Sequence, residues 1–221
     1  MKVSVHNIFL NEGNKAADKI AASAVKNKFM LKQVLEGADS DNKRVKNASA
    51  KCLREISRIN PKVLYPHFNF FVKLIEGDEN ILKWNAIDVL GNLTDVDTGK
   101  KFNTNILKKY FGLLRDKSMV TAANTFRILG KVALNKPKFR KKITAALMKI
   151  EDLPFSSECR NILAGTAIEA FEMFIDEVDG KEEIIKFAKK HILNRRSGTR
   201  KKGKEVFKEF RNSGEVKYLS Y

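Results

Sequence analysis

The chain has 221 residues, 43% of them hydrophobic, which is enough to build a continuous core. Lysine and arginine outnumber the acids 43 to 26, a net charge of +17 that calls for anionic partners, counterions or solvated lysine faces. Two cysteines without a CxxC pair exclude a disulfide framework or a cysteine zinc site, and no apolar run reaches the roughly 18 residues of a membrane span.

The start, MKVSVHNIFLNEGNK, has neither a signal-type apolar core nor a small-residue cleavage site, so a cytoplasmic protein is expected. Residues 13–36 read as an N-terminal helical hairpin, GNKAADKIAASAVKN followed by KFMLKQVLEG. In the next stretch, Val45, Ala48, Ser49, Cys52, Leu53 and Ile56 follow the i, i+3, i+4, i+7 spacing of one helical stripe. Asp41 or Asn42 can cap its start, and Pro61 marks its end. Only 4 prolines and 12 glycines interrupt the chain, which favours long helices throughout.

This stripe recurs. Leu53, Leu90, Leu129 and Ile168 are spaced by 37, 39 and 39 residues. Their frames are VKNASAKCLREI, LKWNAIDVLGNL, TAANTFRILGKV and RNILAGTAIEAF. The column before each anchor holds Cys52, Val89, Ile128 and Ala167, and the column three after it holds Ile56, Leu93, Val132 and Phe171. Four before it stand Ser49, Ala86, Thr125 and Ala164, small residues that allow neighbouring helices to approach closely. Between the frames lie second helical stretches at 63–75, 103–114, 138–150 and 181–193. The separating turns carry Asn60-Pro61, Asp97-Thr98-Gly99, Asn135-Lys136-Pro137 and Asp179-Gly180. One such hairpin cannot bury its own apolar face, so successive units should stack.

WNAIDVLGNL and TFRILGKV resemble the first helix of HEAT repeats, and the period falls in the HEAT and armadillo range. The resemblance covers about residues 37–195 and departs from the family where Arg54 and Glu169 replace the glycine. It implies an all-α fold, an α-solenoid: a right-handed superhelix of HEAT-like hairpins. The expected organisation is a single domain, 1–221, with the N-terminal hairpin at 13–36 and repeats at 37–77, 78–116, 117–152 and 153–195. A basic capping helix and tail occupy 196–221.

Trp84 and Asp88 stand one helical turn apart. Their WxxxD spacing is similar to that of alkylpurine DNA glycosylases of the AlkD type, which are built from HEAT-like hairpins. That resemblance implies an aromatic wall and a carboxylate beside a cationic base, with Arg127 as the arginine from a later helix. The structural alternative is a tryptophan covering a seam between helices. Other chemistry finds no constellation. His6, His67 and His191 share no metal-ligand spacing, and no HExxH, GxxxxGK[ST] or GxGxxG occurs. No metal and no cofactor are expected.

The positive charge is clustered. Nine basic residues and no acid lie between Lys186 and Lys204, and KPKFRKK opens the second helix of the third repeat. In HEAT-type arrays the second helices line the concave face, so the candidate partner-binding residues are Lys108, Lys109, Arg140, Lys141, Lys142, Lys189, Lys190, Arg195, Arg196, Arg200, Lys201 and Lys202. Residues 195–204 read either as part of this face or as a flexible basic linker. The expected function is a non-catalytic interaction scaffold whose basic face holds an anionic partner. Nucleic acid backbone is favoured, with an acidic protein partner and the glycosylase as alternatives.

Overall fold

A computed structural model describes residues 4–178 and 181–212, with side chains described through Lys208. The described residues are helices and turns without a strand, and no helix among them is long and apolar enough to cross a membrane. The chain divides into two compact units, Met1–Ile106 and Leu107–Tyr221.

In the first unit the helices are α1 (Val5–Glu12), α2 (Ala17–Ala24), α3 (Lys28–Gly37), α4 (Lys43–Ile59), α5 (Phe68–Glu76) and α6 (Asn80–Leu93). Of the two candidate caps for α4, Asn42 does the work: its side chain accepts from the amides of Arg44 (3.0 Å) and Val45 (3.2 Å). Asn27 caps α3 in the same way, accepting from Phe29 and Met30. α4 packs against α2 on one side and α6 on the other, while α3 and α5 lie beside α4 and α6 respectively. First helices therefore pack on first helices at the period of the sequence repeat. α7 (Thr104–Leu113) spans the division between the units, and its start is capped by Asn103, which accepts from Asn105 and Ile106.

The second unit continues with α8 (Met119–Asn135), α9 (Arg140–Met148), α10 (Ser157–Glu172), α11 (Glu182–Lys190) and α12 (Ser197–Asn212). Ser118 and Ser156 cap α8 and α10. α10 packs between α8 and α12, and α9 and α11 flank this row.

The repeat columns form the core. Leu53, Leu90, Leu129 and Ile168 are all buried, as are the columns one and four before them and three after them. Each anchor contributes about 1.5–3 kcal/mol by leaving water. The small column has its expected use at Ser49, which abuts Gly37 of α3. A different position, one after the anchor, makes the tightest approach among the described glycines of the second unit. A Cβ on Gly130 would stand 2.6 Å from the Ala170 carbonyl oxygen, so α8 and α10 touch backbone to backbone there.

Polar links also follow the repeat. Asn92 Nδ2 donates to Ser57 Oγ at 2.8 Å, Lys46 meets Glu79 at 2.8 Å, and Lys51 meets Asp18 at 3.3 Å. In the second unit Arg115 donates to the Asp152 carbonyl at 2.5 Å, and Thr199 to the Asn161 carbonyl at 2.7 Å. These pairs are separated by 33 to 38 residues, so each ties one hairpin to the next.

Several elements differ from the sequence expectation. The helix expected over 63–75 begins only at Phe68, because two short 3-10 turns, Pro61–Val63 and Tyr65–His67, precede it. Pro66 supplies no amide hydrogen and so cannot continue a helix through this point. α1 was not expected at all. Residues 195–204 are no linker from Ser197 onward, where α12 begins. The turn at Asp179-Gly180 and the tail 213–221 lie outside the described residues.

Candidate anion-binding surface

All twelve candidate cations belong to the second unit, and the structure divides all but Lys109 into two kinds. Arg140, Lys190, Arg196 and Lys202 each pair with an acid one hairpin away. Arg140 reaches Glu177, Lys190 reaches Glu151 at 3.4 Å, Arg196 reaches Glu158 at 2.7 Å, and Lys202 reaches Glu169. Arg140 does more: Nε donates to the Ala133 carbonyl at 3.0 Å and Nη2 to Leu134 at 3.2 Å, covering carbonyls at the end of α8. Arg200 turns back on its own chain, with Nη1 donating to the carbonyls of Asn194 (2.7 Å) and Arg195 (3.1 Å). Lys189 Nζ stands 5.9 Å from the centre of the Phe207 ring.

The other kind faces water. Lys108, Lys141, Lys142, Arg195 and Lys201 are exposed; the half-buried Lys109 belongs to neither kind. Lys201 lies 3.8 Å from Glu205, both side chains largely exposed, a pair that water screens. Lys141 and Lys142 stand in the first turn of α9, which carries no acid. Cations there oppose the helix dipole, so they do not stabilise α9.

α12 supplies two cations that the sequence reading left out of the site. Ser197, Arg200, Lys201, Lys204, Glu205 and Lys208 line one shallow cleft of about 320 Å³. Arg200, Lys204 and Lys208 are spaced by four, the helical spacing that places them on one side of α12. That signal was present in the sequence.

Trp84 and Asp88 lie on α6 of the first unit and Arg127 on α8 of the second. Trp84 is half-buried. Asp88 is only 4% exposed, and its Oδ2 lies 3.8 Å from Arg58 Nη2 of α4. Arg127 is half-buried, with Nη2 3.4 Å from Asn124 Oδ1. Among the described residues, no cluster of three or more His, Cys, Asp or Glu could hold a metal ion.

No family model and no curated protein matches the chain. The fold does have solved counterparts. One engineered protein, known from a crystal structure, superposes with a TM-score of 0.59 at 16% identity, covering 95% of this chain and 97% of its own. A second engineered protein superposes with a TM-score of 0.61 at 17% identity, covering 90% and 92%. At these identities the likeness concerns the fold alone: an all-helical architecture consistent with helical repeats.

Proposed function

We propose that the chain is a non-catalytic HEAT-type α-solenoid, a right-handed superhelix of hairpins, whose basic surface holds nucleic acid by its phosphate backbone. The observation that carries this reading is the α12 cleft, where Arg200, Lys201, Lys204 and Lys208 gather around one opening, with Glu205 the one acid among its described lining residues. The exposed Lys141 and Lys142 support it, since they sit where they do nothing for their own helix. Cations that neutralise phosphates at such a surface release condensed counterions from the nucleic acid, and phosphate contacts carry no sequence information, so binding is sequence-tolerant and falls steeply with salt. A cytoplasmic location fits this reading.

The burial of Asp88 and its pairing with Arg58 favour a scaffold over the glycosylase. A carboxylate that stabilises a departing base has to face the substrate, and this one is buried with its Oδ2 3.8 Å from a guanidinium of the neighbouring helix.

Fluorescence anisotropy with labelled single- and double-stranded DNA and RNA across a salt series tests the proposal. The variant Lys201→Gln/Lys204→Gln/Lys208→Gln should bind more weakly and lower the log–log salt slope by about one for each lysine that contacts a phosphate. No binding at low salt, or an unchanged slope in the triple variant, overturns the assignment to α12. Arg140 and Lys202 are unsuitable for this test, because they hold neighbouring hairpins together.

A further inference from the structure

A cleft of about 550 Å³ opens in the first unit. Three short segments meet there. Ala24 and Val25 close α2, Leu31 and Leu35 stand one turn apart on α3, and Val63 and Pro66 come from the 3-10 turns ahead of α5. The cleft exists because Pro66 delays α5, leaving turns rather than a helix beside the first hairpin. Its volume is that of a small-molecule site.

The floor is apolar, and what surrounds it is positive. Lys26, Lys28 and Lys32 also line the cleft and are exposed, with a half-buried His67 beside them. Among the described residues, no carboxylate lines it. Glu36 comes within 3.6 Å of Lys32 Nζ, but both side chains are more than half exposed, so this pair is screened and yields readily. Lysine stems add apolar wall while their ammonium groups reach the mouth.

An apolar floor under three cations matches one chemical class: a hydrocarbon chain with a single anionic head. A neutral chain leaves the lysines idle, and a hydrophilic anion leaves the floor uncovered. An acidic amphipathic helix would need anchor positions repeating along several turns. The lining here is one compact cluster. We propose that this cleft binds a long-chain carboxylate, with its tail on Leu31, Leu35 and Val63 and its head among Lys26, Lys28 and Lys32.

The test is isothermal titration of the full chain with dodecanoate below its micelle concentration, with dodecyltrimethylammonium and dodecyl maltoside as chain-matched controls. The expected result is one saturable dodecanoate site and little binding of either control. Lys26→Gln/Lys28→Gln/Lys32→Gln should weaken it roughly tenfold, the sum of three exposed charge contacts. Val63→Trp, at a half-buried position, should fill the cleft and abolish binding while leaving the helical circular dichroism unchanged. Absence of a saturable site, equal affinity for the cationic or neutral chain, or full binding by a folded Val63→Trp variant each overturns the proposal. The result is independent of the nucleic-acid reading, which uses other residues.

Discussion

Arg140 Nη1 donates to the backbone carbonyl of Glu177 at 2.7 Å, thirty-seven residues along the chain. The same guanidinium covers Ala133 and Leu134 at the end of α8. One side chain therefore caps a helix and ties it to the turn of the next hairpin. A residue that read as a ligand contact in the sequence has a structural task in the fold.

Arg140→Ala should destabilise the protein by about 2–3 kcal/mol, because carbonyls at a helix end lose a charged donor. Thermal unfolding should register a fall in Tm of about 5–10 °C for a chain of this size. Arg140→Lys should recover little, since an ammonium cannot span three acceptors in one plane. A Tm within a degree of wild type for Arg140→Ala would remove this role.

Two helical glycines should respond in opposite directions. Gly130→Ala places a Cβ 2.6 Å from the Ala170 carbonyl oxygen and 2.8 Å from its Cα. Backbone cannot step aside, so overpacking of about 1–3 kcal/mol outweighs the gain in helix propensity of about 1 kcal/mol. Gly112 on α7 meets nothing within 4 Å among the described residues, and Gly112→Ala should stabilise by about 0.5–1 kcal/mol. Urea unfolding of the two variants measures both signs.

The cysteines should differ in reactivity. Burial, with smaller contributions from Asp18 and Glu55, pushes the Cys52 thiol from its ordinary 9.0 up to about 12. Cys159 is half-buried. The thiolate is the nucleophile, so a disulfide reagent at pH 8 should modify Cys159 in the native protein and reach Cys52 only after unfolding. The same shift sets a pH dependence. Above pH 9 the unfolded chain releases the Cys52 proton and the folded chain retains it, so stability falls from pH 9 toward 12. Cys52→Ala should lose that component of the alkaline slope.

At the acid side His191 is the group to follow. Burial, and then the charge of Lys190, lower its pKa below 6.5, against a smaller opposing effect of Glu151. The Asn194 amide nitrogen lies 3.0 Å from Nδ1 and can only donate, so the ring accepts there and is neutral. As pH drops below 6.5 the unfolded chain takes up a proton that the folded chain resists, and stability decreases. An NMR titration of the ring should give a midpoint below 6.5; a midpoint above it would contradict this environment.

The sequence by itself determined the helices and the core. The buried columns around Leu53, Leu90, Leu129 and Ile168 were legible because helical spacing and a 37–39-residue period depend only on local order. The cap Asn42 and the stops at Pro61 and Pro137 were legible for the same reason: each acts within one turn of its own position. α1 was not. Only Val5 and Phe9 are buried on it, too few to show a period, and its first amide is held by Gln33 Oε1 at 2.8 Å, a partner twenty-eight residues away. The tertiary structure alone decided which cations are held within the fold. Lys141 and Arg140 are neighbours in one basic run, yet one faces water and the other is held by Glu177. The acids beside Arg140, Lys190, Arg196 and Lys202 lie 33 to 39 residues away, beyond the reach of any local pattern, although the exposed Lys190–Glu151 pair is screened by water like Lys201–Glu205. Charge composition is a property of the chain, but the pairing of charges depends on which hairpins the packed core brings side by side.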